Sequence, residues 1–400
     1  MQNRHYTLIA VFTVLQLIVL LLFGYTPYPD SEGYITLASD ALNCQQPYPV
    51  TSKLNEYAFL WNLGAINLVE LSLWLFHSVL PLLVVYSLMK GATAWFLYAI
   101  TRKMANQRVA MIALCLYCLY PANYGESTSV HSELPFMFFA MLSLYLCVCH
   151  RKYFIAGLVL AIANWIRPMG LVFLLSILIY TYNKWRRNGL LLAGYMTMIV
   201  IIGSATYHRT GLFLYQAKTG WMALTDYSTN HSQSSMAIRE RTDWNVSQKD
   251  SAWRSLFFEW LADHPLEYIS QMPEKLVNTY ASDNVNMCTF IPNKNEAQYM
   301  YQEVSMSTLA SDFPRLSPIQ WLTVLNLLIY YALLATALAS LRHFRRESSL
   351  LPITIILLGT LFLLFVGHGE ARLHTPFMPF IIILSSSTAL HSVARFPRAK

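Results

Sequence analysis

Charge is what this sequence has least of. Of its 400 residues, 12% are Asp, Glu, Lys or Arg, about half the ~25% usual in soluble chains. With 55% hydrophobic and 14% aromatic residues, that scarcity excludes a disordered chain and argues against an ordinary soluble enzyme. Six cysteines are too few for a disulfide scaffold. Fifteen glycines without a period exclude a collagen-like fibre. No internal repeat and no low-complexity tract occurs. Acids number 21 against 28 basic residues, a net charge of +7. The basic residues sit in short clusters between apolar blocks, not along one face or in one tail, so no nucleic-acid partner is expected.

What is present is a series of apolar blocks near bilayer length. They predict about ten spans, over 7–24, 80–100, 108–123, 134–149, 153–167, 168–183, 189–207, 319–341, 350–367 and 373–391. The expected fold is an all-α polytopic membrane protein, with surface helices on its outer face and a small, mostly helical extracytoplasmic subdomain. Residues 1–207 form a transmembrane core with an acidic first outer loop at 25–79. Residues 208–318 form the subdomain, and 319–400 the last transmembrane helices and a basic tail. Arg167-Pro168 splits the 153–183 block, because proline disfavours the helical conformation in the residue before it. A tight outer hairpin is the expected result.

Fifteen of the 28 basic residues fall on one side of this layout, from Arg4 and the Arg102-Lys103 cluster to the Arg342, Arg345, Arg346 group and Lys400. Only one acid, Glu347, shares that side. The positive-inside rule makes it cytoplasmic. Both termini are then inside an inner, cytoplasmic membrane, and the acids gather outside. The apolar stretch 57–77 carries Asn62, Asn67 and Glu70. It is read as a re-entrant or interface-lying helix on the outer face, because a crossing there would flip every later basic cluster. The N-terminal run has no obvious small-x-small cleavage site and is read as an uncleaved anchor. Cys115-x-x-Cys118, inside a span, is read as small buried side chains. Cys44 and Cys288 are the outer-side cysteines; an oxidising compartment would let them pair, but nothing in the sequence sets their distance.

Ionisable residues at membrane depth are costly, and within the predicted spans only Lys90 sits deep. The other candidates collect at the outer boundary, which favours a site there over a conduit. Asp30-Ser31-Glu32 places two carboxylates just after the first span. A partly buried carboxylate can act as general base on a hydroxyl, and Asp30 with Glu32 could hold a divalent cation. The same residues also suit a helix cap, with Asp30 or Ser31 capping the next helix. Glu126 ends a span at the outer face, where it could meet Asp30. Glu133 follows Ser132 as in a capped first turn. Arg167 and Arg372 lie at outer hairpins, where a planar guanidinium suits phosphate; snorkelling, or pairing of Arg372 with Glu370, is the competing explanation. His368 and His374 suit interface filling as well as a site.

These motifs, in this order, resemble the glycosyltransferase C superfamily, in the bacterial branch similar to protein O-mannosyltransferases and lipid A aminoarabinose transferases. Asp30-Ser31-Glu32-Gly33-Tyr34 resembles the acidic first-loop motif, and Ser132-Glu133-Leu134-Pro135-Phe136 the motif opening a later span. Ile166-Arg167-Pro168-Met169-Gly170-Leu171 resembles the Arg-Pro-x-Gly hairpin. Gly369-Glu370-Ala371-Arg372-Leu373 with Pro376 and Pro379 resembles the C-terminal motif. His264-Pro265-Leu266-Glu267-Tyr268 with Lys275 is similar to an amphipathic helix of the outer subdomain. A serine stands inside what is often an Asp-Glu doublet, residues 59–64 lack a Pro-Gly pair, and Lys90 has no counterpart.

The resemblance implies an inverting transfer of a sugar from a polyprenyl-phosphate donor to an envelope glycan, lipid or protein. Asp30 would be the base and Glu32 its assistant or a metal ligand, with Glu126 and Glu133 as further acidic candidates. Arg167 and Arg372, with His374, would hold the donor phosphate. An O-antigen ligase or polymerase, and a lipid-linked-sugar flippase or transporter, are the competing expectations. The first should lean on basic outer loops, and the second on polar groups at the membrane midplane.

Overall fold

The structure is a computed structural model, describing residues 4–27, 30–44, 61–290, 318–343, 346–367 and 369–395. Among the described residues it is built of helices with no strand. Among the described residues, five helices are long and apolar enough to cross a membrane: Arg4–Phe23, Leu80–Met104, Trp185–Thr210, Trp321–Ser340 and Ser348–Val366. A sixth arises if Ala122–Thr128 and Glu133–Val148, which meet at 111°, form one broken span. Outward faces are apolar, as with Leu21 and Leu22 on the first helix and Met196, Val200 and Ile201 on Trp185–Thr210. Exposed apolar surface of this extent marks a face that meets something other than water. These are the features of a membrane protein.

Each of the ten predicted span segments contains a helix. Four of them are short: Gln107–Leu119, Glu133–Val148, Tyr153–Ile166 and Gly170–Tyr180. At 1.5 Å per residue, helices of 11 to 16 residues fall well below the ~30 Å hydrocarbon thickness. The predicted break at Arg167-Pro168 is present. Arg167 is extended, at φ −152° and ψ 128°, and closes the helix that ends at Ile166, as a residue before proline must.

The stretch after the first span also folds as expected, into a surface helix, Ser31–Asn43. From the 57–77 stretch, residues 61–77 are described and hold the helix Leu63–Phe76. Its Gly64 is what lets it dock: a Cβ there would stand 2.8 Å from the Ile166 backbone. This close approach brings the surface helix onto the Arg167 hairpin. Tyr34, Leu37, Ala65, Ile66, Val69 and Leu83 form a buried cluster under both surface helices.

Within 208–290 the chain forms Thr219–Ser228, Gln233–Glu240, Val246–Asp263, Pro265–Ser270 and Met272–Tyr280, then a 3-10 turn at Asn284–Phe290. Trp253 and Val246 pack with Leu63 and Leu214, so this unit sits on the surface helix. The Tyr268 hydroxyl donates to the Phe365 carbonyl at 2.7 Å, which ties it to the end of Ser348–Val366. Gly369, at φ +70°, turns the chain against Lys275 so closely that a Cβ would meet the Lys275 Cα at 2.6 Å. That turn aims residues 370–372 inward. Cys44 has no disulfide partner among the described residues; the Cys288 side chain and His368 lie outside the described residues, and so does the pairing expected of Cys44 and Cys288.

Candidate functional site

A cavity of about 680 Å³ opens where these elements converge, a size suited to a small-molecule site. Its polar wall includes Asp30, Asn62, Arg167, Tyr227, Arg239 and Arg372. Its apolar wall includes Phe362, Leu363 and Val366, which belong to the last turns of the membrane-length helix Ser348–Val366. One pocket is therefore lined both by three guanidiniums and a carboxylate and by the end of an apolar membrane-length helix.

Asp30 occupies the N-cap position of Ser31–Asn43, but its side chain makes no cap hydrogen bond. Its Oδ2 instead meets Arg372 Nη1 at 2.5 Å. The cap reading of Asp30 is thereby replaced by an ion pair, because a guanidinium outcompetes exposed backbone N–H groups for a carboxylate. Ser31 does not cap either: its hydroxyl donates to the Val130 carbonyl at 2.7 Å. Arg372 Nε also lies 2.9 Å from Glu370 Oε1. One arginine thus stands between two acids. Burial raises the Glu370 carboxyl above its ordinary range, and the Arg372 charge partly opposes that rise.

Arg167 is set from behind. Its Nη1 lies 3.0 Å from Glu133 Oε1 and donates to Ser132 Oγ at 2.7 Å. Ser132 sits at the N-cap position of Glu133–Val148 without capping it; its hydroxyl also accepts from Asn62 Nδ2 at 3.1 Å. His131 Nδ1 reaches Glu133 Oε2 at 3.3 Å. Glu133 is therefore the buried anchor of a cavity-lining arginine, one layer away from the cavity. Asn62 Nδ2 also donates to the Tyr34 hydroxyl at 2.7 Å. Burial, then the nearby Asp30 charge, raise the Tyr34 phenol.

Three sequence candidates lie elsewhere. Glu126 does not meet Asp30. Its Oε2 pairs with Lys90 Nζ at 2.5 Å, both side chains buried, and Lys90 also donates to Asn123 Oδ1 at 2.9 Å. A buried ammonium requires a counter-ion, and Lys90 draws Glu126 to itself. His374 is buried away from the cavity. Its Nδ1–H donates to the Thr279 carbonyl at 2.7 Å, and its Nε2 faces Asp283 Oδ1 at 3.8 Å. Glu32 is exposed and outside the cavity wall, because it sits on the solvent side of the first helical turn.

Asp30 and Glu32 do not fit a divalent cation as a pair. Asp30 is engaged by Arg372, two further guanidiniums share its cavity, and Glu32 is remote from the wall. Among the described residues, no three His, Cys, Asp or Glu side chains gather as a metal site.

The sequence missed Arg239, Tyr227 and Asn62. Arg239 sits in the run Arg239-Glu240-Arg241, which looks like any solvated helix end. Asn62 was noted only as a polar interruption of an apolar stretch. No local signal could have brought them here, since their partners are 13 to 70 residues away. Neither a protein-family model nor a curated protein matches the chain.

Proposed function

We propose that this protein is a membrane glycosyltransferase of the glycosyltransferase C type. It would transfer a sugar from a polyprenyl-phosphate donor to an envelope glycan, lipid or protein acceptor at the extracytoplasmic face. The observation that carries this reading is the mixed lining of one cavity: three guanidiniums and one carboxylate together with Phe362, Leu363 and Val366 from the end of a membrane-length helix. An amphiphile with an anionic head and a hydrocarbon tail matches both walls. The proposed topology has ten spans, both termini cytoplasmic, and 208–318 outside.

In this reading the isoprenoid lies along the Phe362–Val366 side, and Arg167 and Arg372 bind the phosphate. Asp30 takes the proton of the acceptor hydroxyl. The hydroxyl oxygen forms its bond to the anomeric carbon on the face opposite the phosphate. The carbon–oxygen bond to phosphate breaks and its electron pair leaves with polyprenyl phosphate, inverting the sugar. Asp30 starts in an ion pair with Arg372, so the donor phosphate must draw Arg372 away before Asp30 can accept a proton. Glu370 and Glu133 hold the two arginines in position.

The test is a transfer assay on purified protein in lipid, with a panel of polyprenyl-phosphate sugars and release of the free lipid phosphate as readout. Release by the wild type that disappears in Asp30→Asn supports both the reaction class and the base. Release that survives in Asp30→Asn keeps the class and removes Asp30 as base. No release with any donor counts against the reaction class, and flipping and ligation assays follow.

A further inference from the structure

Arg239 reaches the cavity from the 208–290 region, on the short helix Gln233–Glu240. It is held there by more than one contact. Its Nη2 pairs with Asp226, whose side chain is 2% exposed. Asp226 also accepts from the Ser235 hydroxyl. Ser235 accepts in turn from Trp253 Nε1 at 3.0 Å, and the buried Lys249 donates to the Arg239 carbonyl at 2.9 Å. An arginine on a solvated face needs no such frame, since exposed ion pairs contribute little. Tyr227 lines the same wall and feels the charges of both Arg239–Asp226 and Arg372–Glu370.

Arg167 and Arg372 are supplied by the helix break at Arg167-Pro168 and by the turn after Gly369, whereas Arg239 is a third guanidinium, supplied by a separate helix, Gln233–Glu240. Asp226 takes the Nη2 edge, and the Arg239 side chain is still 32% exposed and lines the cavity. A guanidinium offers several planar donors, so one edge can be braced while another binds a ligand.

We propose that Arg239, with Tyr227, forms a second anion subsite in this cavity, for a phosphate or carboxylate other than the phosphate attached to the transferred sugar. The assignment of the first subsite rests on the donor reading above. Two sources share this chemistry: a second phosphate in a lipid diphosphate, or an acidic group on the acceptor.

The test uses the full chain in lipid nanodiscs, as wild type, Arg239→Gln and Arg239→Lys, with affinities from calorimetric titration. The probes are paired. Polyprenyl diphosphate is compared with polyprenyl phosphate. A glucuronate-bearing disaccharide is compared with its neutral glucose analogue, with polyprenyl phosphate already bound. Inorganic pyrophosphate is compared with phosphate. In at least one pair the more anionic probe should bind the wild type about tenfold tighter. That margin should fall below about twofold in Arg239→Gln, with an intermediate value in Arg239→Lys. A margin in the first pair identifies the diphosphate source, and one in the second an acidic acceptor. The absence of any margin in the wild type, or a margin that persists in Arg239→Gln, overturns the subsite. Arg239→Lys keeps a counter-ion for Asp226 and carries the comparison if Arg239→Gln unfolds. Failure of the wild type to bind polyprenyl phosphate counts against the donor reading instead, and the inorganic pair then decides the subsite by itself.

Discussion

Arg372 and Asp30, 342 residues apart in the chain, meet through Nη1 and Oδ2 at 2.5 Å. The contact closes the cavity by joining the turn after the first helix to the turn before the last. It also sets the order of events in the proposed reaction. The carboxylate expected to act as base is held by a cation expected to bind the donor, so donor binding and release of the base are one step.

Asp30→Asn and Arg372→Gln should therefore fail differently. Asp30→Asn removes the base and should lower kcat by about 10²–10⁴, with the donor KM little changed. Arg372→Gln removes a phosphate ligand and leaves Asp30 and Glu370 facing each other, so the donor KM should rise by at least about tenfold. Steady-state kinetics of lipid-phosphate release separates the two. Equal effects on kcat and KM in both variants would contradict the assigned roles.

Glu133→Gln tests the support of Arg167. The variant keeps the shape but loses the charge that pins Nη1 at 3.0 Å. A donor KM raised by about five- to twentyfold with kcat kept within threefold is the expected result. A collapse of kcat alone would instead make Glu133 part of the chemistry.

The Lys90–Glu126 pair should matter for stability and not for transfer. Lys90→Met or Glu126→Gln alone strands one buried charge, which costs about 3–5 kcal/mol. The double variant should recover a large part of that loss. Thermal unfolding of the four proteins in detergent forms the cycle. Additive losses would show that the two side chains do not compensate each other.

Asp283 carries a pH dependence. Burial pushes its carboxyl up to about 6, against opposing hydrogen bonds from Tyr120 and Asn286. Its ordinary value is 3.8. Between these values the folded chain holds a proton that the unfolded chain has lost. Its contribution to stability is thus fully present below about 4 and is lost as the pH rises through about 6, by at most about 3 kcal/mol. Asp283→Asn should lack this slope. Melting temperatures of both proteins at pH 4.5 and 7.5 give the difference directly, and parallel changes in the two would remove Asp283 as the cause.

Much was legible in sequence because it depends on neighbours in the chain. The helix break at Arg167-Pro168 follows from proline sterics. The surface helix after Asp30 follows from apolar spacing, and the apolar helices from composition. Asp30, Arg167 and Arg372 were singled out by residue type and place, and they do line one cavity. Their partners were less legible. Ser132 looked like a cap and instead binds Arg167; Glu126 looked like a cavity acid and instead neutralises Lys90.

By itself the sequence determined the helical class, the apolar helices, the helix breaks and the residue types at the turns between them. Each is set within one or two helical turns by hydrophobicity, backbone sterics and charge. Only the tertiary structure decided which charges pair. Desolvation makes an unpaired buried charge costly, and which counter-ion lies within reach is set by packing. Gly64 against Ile166 and the turn at Gly369 against Lys275 bring the distant segments together. In the packed chain Glu126 meets Lys90, Arg372 stands between Asp30 and Glu370, and Arg239 lines the cavity.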